Sequence, residues 1–116
     1  MELFDYQTKS FIAIQEHENN KDENLHFAIG LAEEAGEVLS VLKHKYYAGQ
    51  FNKDELVLEL GDVLWHVAAL CTANGLTLED VANANIAKIK LRYPEGVFDK
   101  ERNAARHEID KQLFEF

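Results

Sequence analysis

The segment Leu56–Cys71 is apolar on nearly every side of a helix, and it constrains the fold more than any other feature of the chain. Such a helix needs neighbours on most sides, so it predicts a central, buried helix with others packed around it. Its acidic and basic side chains are Glu59, Asp62 and His66. They share one stripe with Glu55, at the helical spacing i, i+4, i+7 and i+11. Because carboxylates are rarely buried unless they are paired or bind a metal, the stripe predicts a polar site inside a helical bundle.

Turn and capping residues divide the chain into four helical segments, and no β pattern appears. Asn52 and Glu55 predict a capped start for the third helix, and Asn74-Gly75 predicts its end. Pro94 ends the fourth helix, and the tail after it has the composition of a further short helix. The predicted helices are about Phe4–His17, about Leu25–Tyr47, Lys53–Asn74 and Leu78–Tyr93. The fold class is therefore all-α, with a four-helix bundle-like core and a short C-terminal tail, in a single domain 1–116.

The charge of the chain limits its partners. Twelve basic residues against 21 acidic ones give a net charge of −9. This balance argues against a nucleic-acid partner or an anionic membrane surface. An anionic small molecule as partner therefore requires a bound cation between it and the protein.

Compartment and assembly follow from a few further features. No uninterrupted apolar run reaches about 18 residues, which predicts no transmembrane helix. The N-terminal sequence lacks the basic-then-apolar layout of a signal peptide, and the single cysteine, Cys71, suits a reducing cytoplasm. A chain of 116 residues that is 47% hydrophobic gains stability by association, so we expect a homodimer or homotetramer.

A second acidic group, formed by Glu33, Glu34 and Glu37, lies in the second helix. If the chain reverses between the second and third helices, residues equidistant from the turn lie at the same level. The midpoint of Glu37 and Glu59 is position 48, and the midpoint of Glu34 and Asp62 is also position 48. An antiparallel hairpin therefore predicts that these four carboxylates converge.

Such a cluster needs a cation. Unit charges about 4 Å apart repel by about 4 kcal/mol at a surface-like effective dielectric constant. No Lys or Arg lies inside the third helix to offset this repulsion. Ligand sets made only of oxygen suit Mg²⁺, with Mn²⁺ as a substitute, better than Zn²⁺. The sequence therefore predicts a divalent-metal site at Glu34, Glu37, Glu59 and Asp62.

The two acidic motifs also carry a family resemblance. The sequences "EEAGE" (33–37) and "ELGD" (59–62) resemble the EExxE and ExxD motifs of the MazG-like nucleoside triphosphate pyrophosphohydrolases, an all-α superfamily. The likeness continues through "VLWHVAALCTANGLTLEDV" and "NIAKIKLRYPEG" and covers about residues 25–98. The paired motif at this spacing is a strong signal, whereas either half alone would be weak.

The resemblance implies a helical, usually oligomeric enzyme that uses Mg²⁺ to cleave nucleoside triphosphates, including non-standard or deoxy ones, between the α- and β-phosphates. The products would be a nucleoside monophosphate and pyrophosphate. The metal-binding acids of the family correspond to Glu34, Glu37, Glu59 and Asp62. Glu33 then becomes a catalytic candidate that orients water.

Phosphate or sugar contacts are predicted on the fourth helix. Asn85, Lys88 and Arg92 lie there at i, i+3 and i+7, on one face. The competing interpretation of this face is a solvated basic stripe.

Three other functions stay open at this point. A carboxylate di-iron bundle would need Glu-x-x-His motifs, which Glu59-x-x-Asp62 does not supply. A non-catalytic helical module for metal binding or protein interaction would favour an apolar stripe over an acidic one. A phosphoribosyl-ATP pyrophosphohydrolase has a similar "EEAGE…ELGDVLWH" core, but "NIAKIKLRYPEG" departs from those enzymes.

Overall fold

The computed structural model describes residues 1–11 and 20–113, and the chain divides into two compact units, Met1–Leu78 and Glu79–Phe116. Within the described residues the regular elements are all helical, so the predicted all-α class is confirmed. The α-helices are α1 (Leu3–Ser10), α2 (Asn20–Tyr47), α3 (Lys53–Ala73), α4 (Leu78–Arg92), α5 (Lys100–Ala104) and α6 (Arg106–Asp110), followed by a 3-10 turn at Lys111–Leu113.

Helices α2 and α3 form an antiparallel hairpin that makes up most of the first unit. The loop between them turns at Gly49, whose φ of 67° is readily adopted only by glycine. The side chain of Asn52 then accepts a hydrogen bond from the backbone N–H of Glu55 at 3.1 Å, as the capping pattern predicts. At the other end α3 stops at Ala73, and Gly75 takes the left-handed conformation with φ 67°. The chain reversal on which the convergence of the acids depends is therefore present.

The side chain of Gln7 on α1 is hydrogen-bonded to the last turn of α3 and to the residues that follow it. Its Nε2 donates to Oγ1 of Thr72 at 3.1 Å and to the carbonyl of Leu76 at 2.9 Å, while its Oε1 accepts from the N–H of Leu78 at 2.9 Å. The indole N–H of Trp65 donates to the carbonyl of Ser10 at 3.2 Å. These bonds fix the start of the chain against the end of α3.

One cluster of buried apolar residues in the first unit lies near this contact. Ala68, Cys71 and Leu78 form it, with Tyr6 and Val67 packed against it. Burial raises the pKa of the Cys71 thiol, which is the behaviour of a small buried hydrophobe.

The start of α2 differs from its prediction. Helix α2 begins at Asn20, five residues before the predicted start at Leu25, because the polar segment there supplies Asp22 and Glu23 to a first helical turn. Helix α1 ends at Ser10, and the rest of the predicted first helix, 12–17, lies outside the described residues.

The prediction that α3 is buried all round is wrong for its first half in the single chain. Val57, Leu58 and Leu60 are 61%, 69% and 50% exposed, whereas Ala68 and Ala69 are fully buried. Over its most apolar 18 residues the mean hydropathy of α3 is 1.5, so this helix is long and apolar enough to cross a membrane by length and composition, although the sequence lacks an uninterrupted apolar run. An apolar face this exposed is typical of an interaction surface.

The second unit contains most of α4 together with α5 and α6. The sequence predicted one short helix in the tail, and the structure has two. The guanidinium of Arg92 donates from Nε to Oδ1 of Asp110 at 2.7 Å and from Nη2 to Oδ2. Arg102 donates to the carbonyl of Leu91 at 2.7 Å and to that of Arg92, which are among the last carbonyls of α4. Ile109 is the buried apolar residue of α6.

Candidate metal centre

Three carboxylates converge between α2 and α3. One oxygen from each of Glu34, Glu59 and Asp62 lies within 4.8 Å of the others, and we refer to these residues as the carboxylate cluster. Glu34 projects from α2, and Glu59 and Asp62 lie one turn apart on α3. The hairpin register therefore brings acids from two helices to one place.

The electrostatics of the carboxylate cluster are unfavourable without a cation. Burial, and then the negative charges of Asp62, Glu34 and Glu37, raise the pKa of the Glu59 carboxyl. A hydrogen bond with Glu34 raises this pKa further, since one of the two carboxyls must then hold a proton. Each of these effects raises the pKa of Glu59, and among the described residues no cation offsets them. Because the ligand atoms are all carboxylate oxygens, the carboxylate cluster fits a hard divalent ion.

Glu37 and Glu33 lie beside the carboxylate cluster rather than in it. Glu37 is exposed, and its carboxylate is outside the group of three, although its charge still acts on Glu59. Glu33 is also exposed and lines a cavity of about 260 Å³. The other lining residues are His26, Ile29, Gly30 and His66. Neither Ile29 nor Gly30 is marked as a site residue by the sequence, because an apolar residue and a glycine in a helix carry no chemical signal.

The predicted phosphate-binding residues lie in the second unit. Asn85 and Lys88 line a cavity of about 430 Å³ there, together with Val81, Ala84, Asp110 and Leu113. The guanidinium of Arg92 is bonded to Asp110 and thereby lowers the pKa of that carboxyl. A phosphate that used Arg92 would have to replace Asp110. The sequence offers no signal for this pairing, because Asp110 is 18 residues away in a tail of undetermined fold.

Comparisons with known proteins agree with these motifs. The family profile described as "MazG nucleotide pyrophosphohydrolase domain" matches residues 22–97, which include the carboxylate cluster. The chain is similar to the Gene 37 protein of Mycobacterium phage L5, with 38% identity over 74 residues. The aligned part covers 60% of this chain and 65% of that protein. No solved structure matches the chain. Since the profile matches more than half of the length of the chain, the chain belongs to the MazG nucleotide pyrophosphohydrolase domain family.

Proposed function

We propose that this protein hydrolyses nucleoside triphosphates, including deoxy or non-standard ones, to nucleoside monophosphate and pyrophosphate with Mg²⁺. The observation that carries the proposal is the convergence of Glu34, Glu59 and Asp62 within 4.8 Å, inside the region that matches the family. Membership of the family supports pyrophosphohydrolase activity and a divalent metal. Mg²⁺, with Mn²⁺ as a substitute, is favoured because the ligand atoms are all oxygen.

Each acidic residue has a role in this proposal. Glu34, Glu59 and Asp62 hold the metal, and Glu37 completes the ligand set from the next turn of α2. Glu33 orients the attacking water in this proposal, since it lines an open cavity together with His26 and His66. When bound, Mg²⁺ neutralises the phosphates and stabilises the leaving pyrophosphate. The net charge of −9 then presents no obstacle to an anionic substrate.

The basic face of α4 supplies donors to the substrate in the same proposal. Lys88 and Asn85 bind phosphate or sugar oxygens, since both offer N–H donors at the cavity that they line. Arg92 takes part only if a phosphate displaces Asp110.

A panel of nucleoside triphosphates and deoxynucleoside triphosphates with Mg²⁺ tests the reaction. We expect equal amounts of nucleoside monophosphate and pyrophosphate from each substrate that is cleaved. Release of orthophosphate with a nucleoside diphosphate would contradict cleavage between the α- and β-phosphates. Phosphoribosyl-ATP belongs in the panel, because its preferential cleavage would favour the alternative enzyme class.

Metal binding is expected to stabilise the protein. An ion that binds only the folded state at 100 times its Kd contributes about 2.7 kcal/mol to the free energy of unfolding. For a chain of this length the Tm should rise by about 10 °C. Thermal melts in EDTA, in Mg²⁺ and in Mn²⁺ measure this shift, and Ca²⁺ serves as a larger ion for comparison. An unchanged Tm in millimolar Mg²⁺ or Mn²⁺ would count against the metal site.

A second copy of the chain is the proposed cover for the exposed apolar faces. On α2 the exposed residues Leu25, Ile29 and Leu39 recur at helical spacing on one side. On α3 the corresponding residues are Val57, Leu60 and Leu64, which are 40–61% exposed. A lipid cover is disfavoured, because Glu59 and Asp62 would then lie in the hydrocarbon region. We therefore propose a homodimer or homotetramer in the cytoplasm.

Light scattering at micromolar concentration without detergent tests this assembly. We expect a mass of two or four chains, each of 13.3 kDa. Leu39→Glu and Val57→Glu should shift the population toward the monomer, because each places a charge in the contact. A monomeric wild-type protein, or one that sediments with lipid vesicles, would contradict the proposed cover.

A further inference from the structure

One close contact joins α2 and α3 beside the carboxylate cluster. The imidazole ring of His66 on α3 lies against the backbone of Gly30 on α2. A Cβ built on Gly30 would lie 2.5 Å from Cδ2 of His66 and closer still to Nε2. Real Cβ atoms essentially never approach other heavy atoms this closely, so the contact requires glycine at position 30.

This contact continues the register of the carboxylate cluster. The midpoint of Gly30 and His66 is position 48, the same as that of Glu34 and Asp62. Along both helices the contact is four residues beyond the acids, which is about 6 Å of helical rise. The spacing of the two helices at Gly30 therefore determines how closely Glu34 approaches Asp62.

The ring of His66 is held from two sides. Its Nδ1–H donates to the backbone carbonyl of Asp62 at 2.8 Å, because a carbonyl can only accept. It also contacts the ring of Trp65 in a T-shaped arrangement, with 4.9 Å between centroids and 77° between planes. Trp65 is fixed in turn by its hydrogen bond to Ser10. A Cβ at position 30 would have to break the bond to Asp62 or move the helices apart.

We infer that Gly30 and His66 are positioning residues, which set the separation of α2 and α3 and thereby bring the acids of the carboxylate cluster to metal-binding distance. This inference rests on the proposed metal-dependent function. Neither residue binds the metal. Gly30 supplies space for the ring, and His66 supplies a rigid spacer that is bonded to the backbone of Asp62.

The affinity for Mn²⁺, measured by calorimetry and by the loss of the free-ion signal in electron paramagnetic resonance, tests the inference without any turnover. Gly30→Ala should bind Mn²⁺ at least tenfold more weakly than the wild type, in the range known for residues that support metal ligands. Gly36→Ala is the matched control on the same helix, since a Cβ there meets nothing within 4 Å. It should keep wild-type affinity although it lies next to Glu37. Wild-type affinity in Gly30→Ala, or an equal loss in both variants, would overturn the inference.

A second substitution tests whether the effect of Gly30→Ala on metal affinity acts through the ring of His66. His66→Ala removes the ring and with it the spacer, so it should weaken Mn²⁺ binding by about threefold to tenfold. Adding Gly30→Ala to His66→Ala should cause no further loss, because the atoms that clash are gone. This comparison holds even if Gly30→Ala alone fails to fold. A further tenfold loss in the double variant would show that the ring is not the spacer.

The wild-type measurement separates this inference from the proposed function. If the wild-type protein does not bind Mn²⁺, both the metal-dependent function and the positioning role are overturned. If the wild type binds Mn²⁺ and Gly30→Ala binds it equally well, the proposed function stands and only the positioning role fails.

Discussion

Glu59→Gln is expected to lower pyrophosphate release at least about a thousandfold, with opposite effects on stability in the absence and presence of metal. Holding the metal supplies several kcal/mol of transition-state stabilisation, and each 1.36 kcal/mol corresponds to about a factor of ten in rate. In EDTA the variant should melt at a higher temperature than the wild type, because the substitution removes the charge that burial and three neighbouring acids disfavour. In Mg²⁺ it should melt at a lower temperature than the wild type, since its metal-induced shift is lost.

The matched control is Glu55→Gln. Glu55 lies one turn earlier on α3, is exposed and stands outside the carboxylate cluster. The same chemical change there should leave both the rate and the metal-induced shift near wild-type values. Activity retained in Glu59→Gln, or an equal loss in Glu55→Gln, would count against the assigned metal ligands.

Lys88→Ala is expected to lower kcat/KM by about one to two decades and to leave the metal-induced rise in Tm intact. A charge-assisted hydrogen bond to phosphate contributes about 1.5–3 kcal/mol. The protonated amine of Lys88 offers donors only, so it does not bind the metal. Measuring kcat/KM and the melting shift on the same samples separates substrate binding from metal binding.

Lys90→Ala provides the control, since Lys90 lies two residues away on α4, is exposed and is off the stripe of Asn85 and Lys88. Its kcat/KM should stay within about twofold of the wild type. Arg92→Ala should instead lower the Tm in EDTA, because it leaves Asp110 without its guanidinium partner. Full activity in Lys88→Ala would make the basic stripe a solvated face and place the phosphate contacts elsewhere.

Local chemistry explains what was predictable from the sequence. The cap at Asn52 and the left-handed Gly75 depend on residues within four positions of one another, so the ends of α3 could be predicted closely. The hairpin register then followed from counting, and it placed Glu34 opposite Asp62. The start of α2 was missed, because a polar composition is compatible with both a loop and a solvated first turn.

Contacts that depend on the fold of the tail or on what covers the chain were not predictable. Counting residues from the turn placed Glu37 at the level of Glu59, and its charge does act on Glu59, but its carboxylate is not one of the three within 4.8 Å, so its role as a metal ligand stays a prediction. The pairing of Arg92 with Asp110 depends on the fold of the tail, where several acids were equivalent candidates. The exposure of Val57 and Leu58 could not be predicted from the sequence, because the hydrophobic pattern of a helix is the same whether its own chain packs on it or another molecule does.

The position of Arg102 limits how far the chain can be shortened. The family match ends at residue 97, which would make 1–97 an obvious minimal protein. Such a fragment would lack Arg102, which donates hydrogen bonds to the carbonyls of Leu91 and Arg92. It would also lack Asp110, the ion-pair partner of Arg92. The last turn of α4 would then fray toward Lys88, so loss of activity in the fragment would reflect unwinding of a helix end rather than loss of a catalytic group. Residues 99–113 therefore belong in the shortest fragment that keeps the end of α4 intact, and the proposed activity should be tested on a fragment that includes them.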